Sequence, residues 1–205
     1  MTTRTIAVVS AGLSNPSSTR LLADRLSAAT VAALRARGED ATVEVVDLRE
    51  HARGLADNLT TGFAGESLQG AIDTVVGADA VIAVTPVFSA SYSGLFKTFF
   101  DVLDKDALIG TPVLLGATAG TARHSLAIEF AMRPLFAYLR AVPVPTGVFA
   151  ASEDWAGGDG GALADRVDRA AAELADVLVG RPAVSRPVDP FADPATSFEE
   201  LLKGH

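Results

Sequence analysis

Short apolar runs alternate along this chain with longer segments whose apolar residues recur at helical spacing. Thr5 to Ser10, built around Ile6-Ala7-Val8-Val9, reads as a first strand. Ser18 to Arg37 follows as an Ala/Leu/Arg-rich helix, with Gly38 placed to close it. Ala41 to Leu48 is a β-branched second strand, Arg49 to Gly65 an irregular and mobile loop, and Glu66 to Gly77 a short helix with Leu68, Ile72, Val75 and Val76 inward. Ala80 to Thr85 is apolar to its last residue, as a strand covered on both faces must be. Gly94 to Leu103 is helical, Pro112 to Ala117 is the fourth strand, and His124 to Arg140 is mostly helix, kinked or broken by Pro134. Val142 to Ala150 is a fifth strand whose prolines near its start suit an edge. A glycine-rich turn at 157–161 leads into a last amphipathic helix, Ala162 to Val179. One domain over 1–180 is expected. The Pro/Asp-rich tail, 181–205, has little core potential but offers Phe191, Phe198, Leu201 and Leu202 for docking.

Strands and helices in strict alternation imply an α/β fold, a doubly wound five-stranded parallel sheet. The order expected is 2-1-3-4-5, which puts a ligand crevice at the carboxyl ends of strands one, three and four. Three uncharged loops then converge. The first runs Ser10-Ala11-Gly12-Leu13-Ser14-Asn15-Pro16-Ser17-Ser18-Thr19 into a helix start and has no acidic residue from Ser10 to Leu22. Its hydroxyls and the free N–H groups of a helix N-terminus suit a phosphate, although an ordinary Ser/Thr cap accounts for the same residues. There is neither a G-x-x-x-x-G-K-[ST] nor a G-x-G-x-x-G after the first strand, so a triphosphate or the usual dinucleotide site is not indicated. A phosphate met by Ser and Thr rather than Lys suggests a monophosphate such as that of FMN. The second loop, Thr85-Pro86-Val87-Phe88-Ser89-Ala90-Ser91-Tyr92-Ser93-Gly94, is stiffened by proline and carries two aromatics. The third, Ala117-Thr118-Ala119-Gly120-Thr121-Ala122, is small enough for a flat ring to lie against its backbone. A flavin fits this trio better than an adenine nucleotide does. We expect Ser10, Gly12, Ser17, Ser18 and Thr19 at the phosphate, Pro86, Val87 and Phe88 as a wall on the ring, and Thr118, Ala119, Gly120 and Thr121 at its pyrimidine end.

Composition narrows the partners. The 205 residues are 49% hydrophobic with mean hydropathy +0.30, which is globular. Seventeen basic against 25 acidic residues give a net charge of −8, which argues against nucleic acid or an anionic membrane as partner. Any phosphate must therefore be gripped locally. The absence of cysteine removes disulfides, thiolate metal sites and a thiol nucleophile. No basic-then-apolar leader is present and the Ile6–Val9 run is far too short to span a bilayer, so a cytoplasmic location is expected. No two carboxylates share the three loops, and of the histidines only His124 lies near the crevice. Hydride transfer through a flavin requires neither, because the cofactor carries the chemistry. Trp155 reads as a packing or interface residue. Leu95, Phe96, Phe99, Phe100 and Leu103, with Tyr92, form an apolar arc too wide for one sheet face. It is either a deeply buried helix or, as we favour, part of a homodimer interface.

The Pro16-Ser17-Ser18-Thr19 loop, the Pro86-Val87-Phe88 turn, the Ser91-Tyr92-Ser93-Gly94-Leu95-Phe96-Lys97 run and Ala117-Thr118-Ala119-Gly120 together resemble the NADPH-dependent FMN reductase family, over roughly residues 4 to 180. With His124 and Arg133-Pro134-Leu135, the chain most resembles the flavin reductases that supply luciferase-like two-component monooxygenases. The resemblance implies a flavodoxin-like fold, FMN with NADPH or NADH, a homodimer or dimer of dimers, and a monooxygenase that takes the reduced flavin. Two departures stand out: Ala11-Gly12 where the family often has Gly-Ser, and Phe88 where it often has Tyr. A flavin-retaining quinone or azo reductase and a non-enzymatic flavodoxin-type electron carrier are the alternatives.

Overall fold

The computed structural model describes residues 3–156 and 161–181; the expected glycine turn, except Gly161, and the tail beyond Arg181 lie outside the described residues. Among the described residues the strands are β1 (Thr3–Ser10), β2 (Asp40–Asp47), β3 (Ala80–Phe88), β4 (Ser91–Tyr92), β5 (Pro112–Ala119), β6 (Val142–Pro143) and β7 (Val148–Ala151). They form one sheet in the order β2-β1-β3-β5-β6, with β7 also on β5 and β4 folded back on β3. Every pairing is parallel except β3 with β4. This is the flavodoxin-like order expected, with one strand split and one two-residue strand added. The split has a local cause. Pro143 and Pro145 have no N–H to donate, and Glu173 draws both the N–H and the hydroxyl of Thr146 away from the sheet, each at 2.7 Å.

Helices α1 (Ser18–Ala36) and α7 (Gly161–Val179) cover one face; their Leu22, Leu26, Leu163, Leu174 and Leu178 pack on Ile6, Val8, Ile82 and Leu114. On the other face α3 (Glu66–Val76), α4 (Gly94–Asp101), a π-helical turn at Ile128–Met132 and α5 (Arg133–Tyr138) pack on Ala7, Val9, Val81, Ala83, Val113 and Leu115. A short α6 (Ser152–Ala156) follows β7. Gly38, at φ +80°, closes α1 as expected, since few other residues adopt that conformation cheaply. Pro134 falls in the first turn of α5, so the expected kink is a break with the π-helical turn before it.

Three local expectations are corrected. The segment 49–65 is not an irregular loop but a 3-10 turn, Leu48–His51, capped by Asp47, followed by α2 (Ala52–Thr61). Only Leu55 of α2 is buried, and one apolar anchor leaves no periodic pattern to read. In α3, Val76 is exposed and Ala71 takes the inward place beside Leu68 and Val75. The apolar arc on α4 is consumed inside the subunit: Phe96, Phe99 and Phe100 are buried, and Phe96 and Phe100 meet Phe136 at centroid distances of 6.3 and 4.9 Å. Of that arc, Tyr92 and Leu95 stay half-buried.

At the amino end of the sheet, buried Arg4 donates from Nε to Glu39 Oε2 at 2.6 Å, and from Nη2 to Glu39 Oε1 and the Arg181 carbonyl at 3.1 and 2.8 Å. Asp79 lies 3.7 Å from its Nη1 and accepts the Thr5 N–H at 2.8 Å. The hydrogen bonds from Arg4 hold the Glu39 carboxyl below the usual range. A lowered carboxyl pKa stabilises the fold above its unfolded value, about 4.3 for Glu, and that stabilisation disappears as pH falls through the folded value. Glu39→Gln is thus expected to lower Tm at pH 7, with the gap to wild type narrowing below about pH 4; thermal denaturation across pH checks it.

Candidate functional site

The carboxyl ends of β1, β3 and β5 meet at one rim, and the first loop is built there around a cap. Ala11 donates its N–H to the Val84 carbonyl at 2.9 Å, extending the β1–β3 pairing one residue beyond Ser10. The chain loops out over Leu13–Pro16 and returns at Ser17, whose extended backbone and Oγ, accepting from the Arg20 N–H at 3.2 Å, make it the N-cap of α1. The N–H groups ahead of Arg20 point off the helix end with no acidic side chain in the first turn. Gly12 is required here: a Cβ on it would lie 2.1 Å from Ser17 Oγ. Ser17 therefore fills both sequence readings, an ordinary cap on a surface suited to an anion. Ser18 is exposed beside it.

Thr19 is placed differently from the expectation of a hydroxyl directed at a ligand. It is buried, and its Oγ1 lies 2.8 Å from Thr118 Oγ1 at the end of β5. Ser10 is fully buried, and its hydroxyl finds no partner among the described residues. Strand alternation places it on the α1 face of the sheet with Ile6 and Val8, the face from which Thr118 meets Thr19. A buried hydroxyl without a partner is uncommon in a folded protein, and this one ends β1 where the first loop begins. The adjoining cavity, about 280 Å³, is lined by Ser14, Asn15, Ser17, Arg20, Asp47 and Arg49. Its arginines are paired, Arg20 with Asp24 at 2.8 Å and Arg49 with Asp47 at 3.9 Å.

The second loop is a tight hairpin. Val87 opposes Tyr92 and Phe88 opposes Ser91, leaving Ser89 and Ala90 as the turn. Thr85 Oγ1 accepts the Ser93 N–H at 3.0 Å, and Ser93 Oγ accepts the Phe96 N–H at 3.2 Å as cap of α4, so strand, hairpin and helix are locked together. Of the expected wall, Pro86 and Phe88 share the α1 face with Thr118, which Pro86 opposes in register, whereas Val87 turns to the other face and packs on the core. Phe88 is 49% exposed. In the third loop Thr118 is buried, Ala119 half-buried, and Gly120 and Thr121 exposed; a Cβ on Gly120 would meet nothing within 4 Å. The protein itself does not require that glycine, which leaves free space for a flat ligand.

The remaining candidates fall outside. His124 and Arg123 are exposed in a 3-10 turn, and His51 pairs with Ser67. Trp155 packs against the core with the Arg25 guanidinium 4.8 Å above its ring, a packing role as expected. A larger cavity of about 830 Å³ lies at the amino end of the sheet, but Glu44, Asp73, Asp104 and Asp106 line it, the wrong sign for a phosphate. No cluster of metal-ligating side chains occurs among the described residues. The sequence reading missed the Thr19–Thr118 contact, whose partners are 99 residues apart, and the positive φ of Ser89 and Ala90.

Known proteins resemble this chain in sequence and in fold. The profile of the family described as NADPH-dependent FMN reductase matches residues 4–156. An FMN reductase (NADPH) of Pseudomonas aeruginosa is 37% identical over 152 residues, 73% of this chain and 78% of that one. The NADH-dependent FMN reductase SfnE of Pseudomonas putida is 37% identical over 177 residues, 85% of this chain and 92% of that one. The X-ray structure of an oxidoreductase from Corynebacterium diphtheriae superposes with a TM-score of 0.86 at 49% identity, covering 89% of this chain and all of that one.

The buried threonine pair generates a prediction. Thr19→Val or Thr118→Val alone leaves a hydroxyl buried without its partner and is expected to cost about 1–3 kcal/mol in urea unfolding. The double substitution removes both hydroxyls and is expected to cost less than the sum of the two.

Proposed function

The chain belongs to the NADPH-dependent FMN reductase family, and on that footing we propose that it oxidises NADPH or NADH, passes the hydride to FMN, and delivers the reduced FMN to a partner flavin-dependent monooxygenase. The observation that carries the site assignment is the capped, acid-free start of α1 tied to the β5 loop through Thr19 and Thr118. The residues present fit FMN: an orphaned hydroxyl at Ser10, a helix N-terminus for the phosphate and open space over Gly120. Bound FMN supplies the ring that accepts hydride.

The chain's own groups bind and orient. Ser17 and Ser18, with the first N–H groups of α1, take the phosphate; Gly12 admits the loop's close return, and Ser10 donates from below. Thr19 acts through Thr118, fixing the helix start against the ring loop. Pro86 and Phe88 wall one side of the ring, with Val87 contributing backbone. The backbone of Thr118, Ala119, Gly120 and Thr121 meets the pyrimidine end, where N–H donors favour the negative charge of a reduced ring. One half-exposed phenylalanine is a loose wall, which favours release of the flavin. Reduced flavin reacts with oxygen, so a released product needs a consumer, and a monooxygenase is the partner chemistry that uses it.

This reading includes a homodimer or dimer of dimers. Leu126, Phe130, Pro134 and Tyr138 recur every four residues on the outer surface, with Leu126, Phe130 and Tyr138 exposed to 62%, 78% and 80%. Such an apolar stripe suits a second copy better than water. It also includes a cytoplasmic location, where reduced nicotinamide nucleotides are generated. No helix among the described residues is long and apolar enough to cross a membrane.

The test is steady-state NADPH and NADH oxidation with added FMN, coupled to trapping of reduced flavin by cytochrome c. Oxidation with reduced flavin released is expected. Turnover without release would favour the quinone or azo reductase, and no oxidation above background would favour a carrier. Ser17→Ala is expected to weaken FMN by about tenfold and riboflavin by less, as loss of one charge-assisted hydrogen bond implies. Gly120→Val is expected to weaken both equally while leaving Tm unchanged, because the added side chain meets only ligand space. Flavin titration and thermal denaturation read these outcomes.

A further inference from the structure

The hairpin between β3 and β4 turns on Ser89 at φ +48° and Ala90 at φ +67°. A two-residue hairpin with both central φ values positive is the form that Asn-Gly, Asp-Gly and Gly-Gly adopt readily. A Cβ in that region approaches the neighbouring carbonyl oxygen and costs energy, and an alanine has no side-chain hydrogen bond to offset it. Elsewhere Gly38, Gly62 and Gly110 have positive φ, Gly38 and Gly62 ending helices, and among the described residues Arg140, at φ +56° after α5, is the one other non-glycine in this conformation. Among the described residues the hairpin alone sets two successive non-glycines in this conformation, and it stands on the rim of the crevice.

The frame around the turn prevents relaxation. Val87 and Tyr92 are paired below it, the Ser93 N–H is fixed on Thr85, Ser93 caps α4, and the Tyr92 ring packs on Phe96 at 5.8 Å. Phe88 is the last residue before the turn, on the face shared by Pro86 and Thr118, and no partner ring holds its half-exposed side chain among the described residues.

We propose that Ser89 and Ala90 are positioning residues: the glycine-free, positive-φ turn presets the Phe88 ring over the crevice and thereby sets how tightly flavin and nicotinamide stack there. This rests on the reading of Phe88 as the wall of the ring site. Glycines would form the turn without strain but would also open many other backbone states, at the cost of the fixed ring. Strain maintained at a ligand site by a rigid surrounding frame is the pattern expected of preorganisation.

The experiment compares wild type, S89G/A90G, S89N/A90G and F88A, together with the two turn variants in the F88A background. It measures Tm, the FMN Kd by fluorescence quenching, and KM and kcat for NADPH. S89N/A90G keeps the turn's preference for this geometry while relieving strain. It is expected to raise Tm by about 2–4 °C, with FMN Kd and KM closer to wild type than those of the double glycine variant. S89G/A90G is expected to fold with Tm at or above wild type. Its FMN Kd and its KM for NADPH rise about two- to fivefold, with a smaller change in kcat. In the F88A background the glycine effect disappears, because the turn acts through that ring. Unchanged binding in S89G/A90G alongside weakened binding in F88A would overturn the positioning role and leave the Phe88 wall standing. A glycine effect that persists without Phe88 would overturn it too. No effect of F88A on FMN or NADPH would remove the wall itself, and the proposal with it.

Discussion

Two threonine hydroxyls, brought together from residues 19 and 118, hold the loops at the carboxyl rim of this sheet in one arrangement. A parallel sheet covered on both faces has no free side-chain surface except at its strand ends, and the loops there are independent unless something couples them. The Thr19–Thr118 contact couples the start of α1 to the end of β5. An anion at the helix N-terminus and a flat group on the β5 loop then lie at a fixed separation. Gly12 permits the close return of the first loop, and Thr85 with Ser93 fastens the hairpin between them. The contacts made by these threonine and serine groups are buried and neutral.

The buried ion pairs lie at the other end. Arg4, Glu39, Asp79 and Arg181 tie the beginnings of β1 and β3 to the end of α7. Burial of a guanidinium is tolerated there because two carboxylates and a carbonyl surround it. The protein thus separates its anchoring from its chemistry. The carboxyl rim presents hydroxyls, N–H groups and arginines paired with Asp24 and Asp47, so it carries little unpaired charge of its own.

Sheet order and the three-loop crevice were legible because alternation of apolar runs with helical periodicity is a property of the chain alone. Ser17 and Gly12 could be placed by their position before a helix. What periodicity does not encode was missed. Helix α2 hides behind a single buried leucine, and the partner of Thr19 is set by the β1–β3–β5 crossover rather than by any local signal. The turn at Ser89 and Ala90 carries residues that would be read as unremarkable loop, since its conformation comes from the paired strands and not from the turn. The arc on α4 looked too wide for one sheet face because the sequence does not show that Phe136 packs against it.

The divided last strand has a further consequence. Beyond β5 the sheet ends on two pieces, Val142–Pro143 and Val148–Ala151, with Thr146 between them turned toward Glu173. An unbroken outer strand would present a row of open N–H and C=O groups on which a second chain could build, the usual route to strand addition and aggregation. Here prolines and a helix carboxylate interrupt that row, so this border cannot serve as a template. Strand addition is disfavoured at this border, whereas the opposite one is β2, an unbroken strand of eight residues.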